Sequence, residues 1–427
     1  MVSITHREYP HIDEQVHSAL LPNGLAVFVV PKRGYFKSFA VLATDYGGAD
    51  QRFRHDGDWV DTPMGVAHFL EHLMFETADG NALTELSTNG ANANAYTSTD
   101  ITAYYFESVD RFPENLEILL SFVTVPYFTR ERVASEQGII EQEILMCEDN
   151  PDYCLYYGLM ESLFRHNPLR NSVAGTVDSI AKITSDMLYD CHNVFYHPTN
   201  MALCVAGDVD PHMIIDVANR IIPETPGRKP ERDYGPPESL HPEASRFSKS
   251  MDINLPIFLA GCKSEPAQRG HDAFKLDLVS AISLDLLAGH SSSLYFRLYD
   301  EGLVNSDFSA SFECSIGTAH TVFGGETREP ERVFDEIMKE IINLSENGVN
   351  PLLFNRIKKA ALGSYLRSLN SFEAICDNII DGHFRGYDTF ETQEALMSIT
   401  EDDVIAFYRN HLAPENMAIS IITPSGA

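Results

Sequence analysis

Part of this chain is written twice. Ile183-Thr184-Ser185-Asp186, followed by Pro198-Thr199-Asn200-Met201-Ala202, returns as Ile399-Thr400-Glu401-Asp402 followed by Pro414-Glu415-Asn416-Met417-Ala418. Both pieces are displaced by the same 216 positions (399 − 183 and 414 − 198), with no gap between them. Each copy reads as a helix start, a turn and a terminal strand. The 427 residues suffice for two hydrophobic cores. The expected fold is therefore α+β: two homologous α/β-roll domains, each an antiparallel-rich sheet packed with helices. Between them Pro223 to Pro242 carries six prolines among many charges and reads as a semi-extended linker. The expected division is 1–222, a linker 223–245, and 246–427, the two halves meeting as a clam shell.

Only the first half carries the segment GVAHFLEHLMFET, Gly65 to Thr77. Its apolar run predicts a buried helix, with Pro63 just ahead as a first-turn residue. His68, Glu71 and His72 then share one face, because positions i, i+3 and i+4 are neighbours on a helix. Two imidazoles a turn apart can hold one metal ion, and burying them with a carboxylate and no partner would be costly. A chance cluster on a buried helix is the competing reading. Two histidines need a third protein ligand and an open position for water. The predicted helix from Arg130 to Met146 offers Glu131, Glu136, Glu141 and Glu143, with Glu148 just beyond, most of them solvated face. Glu136 and Glu143 lie two turns apart on one side. Glu143 is the choice for third ligand and Glu136 for its outer partner, although spacing alone leaves the other glutamates open.

The remaining elements alternate strands and helices. Leu20 to Val30 reads as a hairpin about Asn23-Gly24, Phe39 to Thr44 and Ile101 to Val109 as strands. Ala91 to Tyr96, ANANAY, has small side chains that leave room for another backbone. It is a candidate edge strand for substrate addition, or else a tight packing contact.

Composition narrows the partners. With 62 acidic against 31 basic residues the formal net charge is −31, so nucleic acid and anionic membrane are poor partners. A solubility effect explains the charge equally well. The amino-terminal MVSITHREYPHIDEQ lacks an apolar core, and no run approaches a membrane span. Seven cysteines without a CxxC pair read as reduced thiols, so the expected location is cytoplasmic.

At this point the residues resemble the inverzincin metallopeptidases that include pitrilysin, insulin-degrading enzyme and the mitochondrial processing peptidase. The chain is most similar to the short two-domain bacterial members, and the resemblance covers essentially its whole length. HFLEH at His68 to His72 matches the family's metal motif. EQGIIEQE matches its distal pair, implying Glu143 as third zinc ligand and Glu136 as supporting carboxylate. NANAYTS looks like the edge strand where peptide adds by backbone pairing, implying Asn94, Ala95 and Tyr96 as substrate-binding residues. The resemblance implies one Zn²⁺ per chain, Glu71 as general base and peptide hydrolysis. One departure stands out. Family members bring an Arg and a Tyr from a second-half segment of the form L-R-E-x-x-L-A-Y, where this chain has Tyr299 and Asn305. The expectation is a zinc-bearing subunit of a heterodimer whose homologous partner supplies that pair, or else a self-sufficient homodimer. A non-catalytic assembly or peptide-binding subunit with a retained metal site is the alternative. A different metallohydrolase using the same helix, such as an amidase, has no independent support.

Overall fold

A computed structural model describes residues 2–222, 227–267 and 269–426. The first half builds a seven-stranded sheet from β1 (Ile4–Tyr9), β2 (Glu14–Leu20), β3 (Ala26–Pro31), β4 (Ser38–Thr44), β7 (Asn92–Thr97), β8 (Thr102–Ser108) and β9 (Met201–Gly207). Two short strands, β5 (Arg52–His55) and β6 (Asp58–Asp61), form a separate hairpin. The second half builds five strands: β10 (Arg246–Met251), β11 (Ile257–Ser264), β12 (Ser309–Ser315), β13 (Thr318–Glu326) and β14 (Met417–Pro424).

The strand orders expose the duplication. The first sheet runs β1-β2-β3-β9-β4-β8-β7 and the second β10-β14-β11-β13-β12. β3 pairs with β9 in parallel and β10 with β14 in parallel, while every later neighbour in both sheets is antiparallel. The second sheet thus repeats the last five strands of the first, and β12 is the counterpart of β7. The sequence repeat falls on the same elements: helix Ser185–Phe195 and β9 in one half, helix Glu401–His411 and β14 in the other. In both helices a threonine, Thr184 or Thr400, caps the first turn with its side chain.

Each half lends a helix to the other. Pro151–Leu163, from the first half, packs on β14, β11 and β10. Phe372–Arg385, from the second half, packs on β9 and β4. Phe372, Ile375, Cys376 and Ile380 thereby share one core with Val41, Ala43, Ala202 and Cys204. Leu159 and Leu163 share another with Ala418. The approach on the second side is close because Gly158 has no side chain: a Cβ there would meet the Phe247 ring at 2.3 Å. The clam shell is therefore joined by two exchanged helices as well as by the linker.

The linker's first residues, 223–226, lie outside the described ones. Further on it is pinned to the first half. Arg232 Nε lies 2.9 Å from the buried Asp50, which also accepts a 2.9 Å bond from the Tyr234 hydroxyl.

Candidate metal and peptide site

The motif helix spans Val66–Met74. It starts after Gly65 at φ +93°, not at Pro63, and a Cβ at Gly65 would sit 2.6 Å from the Ala174 carbonyl oxygen. Phe69, Leu70, Leu73 and Met74 bury the helix in the first core. The distal helix, Arg130–Glu148, is capped by Thr129, whose hydroxyl accepts from the Arg132 N–H at 3.3 Å. It buries Val133, Ile140 and Ile144 and packs against the motif helix. The offset of Glu136 and Glu143 from that apolar row turns both toward His72.

His68, His72 and Glu143 come together, with one ligand atom from each lying within 4.8 Å of the others. His68 Nε2 is 3.5 Å from one Glu143 oxygen and His72 Nε2 is 3.6 Å from the other. The opposite nitrogen of His72, Nδ1, is 2.8 Å from Glu136. The Nδ1 of His68 is buried without a partner among the described residues. A carboxylate on the far nitrogen is the usual way of orienting a metal-binding imidazole.

The charges suit a cation. Burial, with a contribution from His72, lowers the His68 pKa to about 4, so its imidazole is neutral and its lone pair available. For His72 burial also opposes protonation, but Glu136, Glu71 and Glu143 outweigh it and raise the pKa. Three carboxylates around two imidazoles leave an excess of negative charge, and the donor set fits Zn²⁺. Glu71 is only 8% exposed. Burial raises its pKa, while a hydrogen bond from Thr97 and the nearness of His72 pull it down. The Thr97 hydroxyl donates to Glu71 Oε2 at 2.8 Å.

β7 runs beside this helix as a free edge of the sheet. The Ser98 N–H donates to the Ile101 carbonyl at 2.8 Å, which sets the alternation of the β7–β8 ladder. Asn92, Asn94 and Tyr96 are the hydrogen-bonded partners of β8, and Ala93, Ala95 and Thr97 are not. Those three therefore turn their backbone N–H and C=O groups toward the open edge. Their side chains lie on the motif-helix side, where Ala93 and Ala95 pack against the first core. The Ala95 N–H is met at 2.9 Å by Oδ1 of Asn94, so Asn94 covers a donor that an added strand would use. Tyr96, on the other face, is partly exposed.

The second-half segment lies apart from these groups in the hydrogen-bond pattern. Tyr299 is 53% exposed at the end of helix Ser293–Asp300. Asn305 donates to Glu326 at 3.2 Å, and Arg297 is paired with Glu336 at 3.0 Å. Sequence reasoning did not single out Thr97. Its signal was the strand period: it follows Ala93 and Ala95 at alternate positions and so shares their face.

A helix-borne His-x-x-Glu-His site, completed by a distal glutamate on a duplicated α+β scaffold, defines a class of zinc peptidases. Residues 56–177 match the family described as Insulinase (Peptidase family M16), and residues 182–361 match that described as Peptidase M16 inactive domain. The "Uncharacterized zinc protease YmfH" of Bacillus subtilis (strain 168) is 37% identical over 98% of both chains. The mitochondrial-processing peptidase subunit beta of Saccharomyces cerevisiae is 24% identical over 97% of this chain and 93% of its own. The crystal structure of an M16-like peptidase from Alicyclobacillus acidocaldarius superposes with a TM-score of 0.93 at 33% identity, covering 98% of this chain and all of that one. The chain belongs to peptidase family M16. Among its described residues no helix is long and apolar enough to cross a membrane.

Proposed function

We propose that this chain is a zinc-dependent endopeptidase acting on peptides or unfolded segments, as the zinc-bearing subunit of a cytoplasmic heterodimer. One observation supports this above the others: Glu71, which a purely structural metal site would not need, is held buried between the metal-ligating histidines and a free sheet edge. His68, His72 and Glu143 would hold one zinc ion, with Glu136 orienting His72. When bound there, zinc would supply Lewis acidity, which lowers the pKa of a water toward about 7 and polarises a carbonyl. Glu71 takes the proton from the attacking water and returns it to the leaving amine. Its Oε2 is committed to Thr97, which leaves Oε1 for that transfer. Ala93, Ala95 and Thr97 align the peptide by main-chain pairing, which accepts many sequences.

The two-subunit reading is supported by the second half. Tyr299 carries no permanent cation, Asn305 lacks a phenol, and Arg297 is tied to Glu336. The yeast relative is itself named as a subunit. The same observation favours a second reading, an assembly or peptide-binding subunit with a retained metal site. Metal analysis and peptide-cleavage assays on the wild-type chain and Glu71→Gln, each with and without a related zinc-less subunit, decide between them. The expected result is equal zinc in both chains and hydrolysis by the wild type only. Zinc-loaded wild type inert in every combination would favour the assembly role.

A further inference from the structure

Thr97 closes β7 and touches two systems at once. Its backbone N–H and C=O belong to the outward-facing set at the free edge. Its hydroxyl, on the opposite account, points back to the motif helix and donates to Glu71 Oε2 at 2.8 Å. A hydroxyl has one proton and two lone pairs. That proton lies on Glu71 because an ionised carboxylate can only accept; the buried Thr102 hydroxyl, 3.4 Å from Thr97 Oγ1, directs its own proton to a backbone carbonyl. Thr102 in turn is held by the Tyr46 carbonyl, 2.9 Å from its Oγ1. Tyr46 is buried against Phe195 and Tyr196, so the chain of contacts is anchored in the first core. Thr97 and Thr102 face each other as the last pair of the β7–β8 ladder.

We infer that Thr97 is a positioning residue that aims the Glu71 carboxylate and ties that aim to the strand on which the peptide is laid. This inference rests on the peptidase reading above. A glutamate has three side-chain torsions, and burial alone does not choose among the rotations of its carboxylate. Donation to Oε2 commits one oxygen and leaves the other for the water. Because the same residue offers the last backbone groups of the edge, the base and the reacting carbonyl are referred to one rigid element. A displacement of about 1 Å between them would otherwise lower the rate on the order of 100-fold.

Thr97→Val removes the hydroxyl and keeps the β-branched shape and the backbone edge; Thr97→Ser keeps the hydroxyl. In the zinc-loaded chain, assayed in whichever state gives turnover, Thr97→Val should lower kcat about 10–100-fold, the range for groups one step from a metal site. KM and zinc content should stay within about twofold of wild type, and the thermal midpoint within a few degrees, about the shift that 1 kcal/mol gives. Thr97→Ser should recover most of the loss, and Thr97→Val should add nothing in a Glu71→Gln background, since the two act as a unit. A second measurement needs no turnover. The Glu71 carboxylate band, isolated as the infrared difference between wild type and Glu71→Gln, should move in Thr97→Val and return in Thr97→Ser. Wild-type kcat in Thr97→Val, a serine variant as slow as the valine one, or an unmoved band would overturn the assignment. A Thr97→Val chain that loses its zinc or its fold would do so too, by making the role structural. If the wild type hydrolyses nothing while the band moves as stated, the peptidase reading fails and the positioning contact stands.

Discussion

His72 Nδ1 meets Glu136 at 2.8 Å, and this contact decides which nitrogen of the ring is left for a metal. Glu136→Gln keeps the shape but removes the charge that favours the required tautomer. Zinc affinity should fall about 10–100-fold, measured by competition with a chelator. Unchanged affinity would show that the 2.8 Å contact does not orient the ring. Glu143→Ala should have a larger effect, because it removes one of the three groups proposed to hold the ion and leaves two imidazoles, which hold zinc weakly. Stoichiometric zinc in that variant would place the third ligand elsewhere. Both glutamates were legible in the sequence as a pair two turns apart. Their division of labour came only with the resemblance, since helical period gives a face and not the neighbour across it.

β7 shows what one residue of register changes. Ala95 has its N–H on the open edge, whereas Tyr96 uses its own to hold β8. Ala95→Pro therefore removes a donor from the open edge, where the peptide is proposed to pair, without breaking the ladder, the position at which a strand tolerates proline. Catalytic efficiency on a panel of peptides should drop while zinc content and melting temperature hold. Full efficiency would place the substrate elsewhere. A second element-scale consequence concerns helix Ser185–Phe195. Its His192 is buried, and its Nε2 lies 3.0 Å from the Val123 carbonyl near the end of helix Phe112–Thr124. Burial, only partly offset by that carbonyl, lowers its pKa to about 4, against roughly 6.5 when unfolded. The unfolded chain then binds more protons between those values. The contribution is intact above roughly pH 6.5 and is lost as pH falls toward about 4, by on the order of 3 kcal/mol. Denaturant titrations at pH 7 and pH 4.5 should show a shallower fall in His192→Gln than in wild type; equal slopes would contradict this.

For the whole molecule the exchanged helices matter most. Ile375 belongs to the second half but is buried against strands of the first. Ile375→Ala should cost about 2–5 kcal/mol, and the two halves should unfold in one transition, because each sheet is covered by the other's helix. Two separated calorimetric transitions would show that the cores are independent. In the proposed heterodimer the second chain would supply the cationic and phenolic groups that Tyr299 and Asn305 do not. The purified chain should hold zinc yet turn over slowly, losing on the order of 10²–10³ in rate per missing oxyanion donor. A related subunit with an intact Arg–Tyr pair should restore the rate. Ordinary turnover by the chain alone, abolished in Arg297→Ala, would instead favour the self-sufficient homodimer.

The sequence by itself determined the features whose information is local or repeated. The His-x-x-Glu-His stripe needs only the helical period, the alternating run of β7 needs only the strand period, and a 216-residue offset implies a second copy of one fold. Strands β1 and β2 were less legible, being polar and half-exposed at the sheet's margin. The β5–β6 hairpin, short and charged, has the composition of a loop. Only the tertiary structure decided that Phe372–Arg385 covers the first sheet and Pro151–Leu163 the second, since an apolar helix face does not say which sheet it will meet. It likewise decided that Thr97 reaches Glu71 across 26 positions. A hydrogen bond between residues far apart in the chain depends on where three elements come to rest, and that is set by the packing of the whole core.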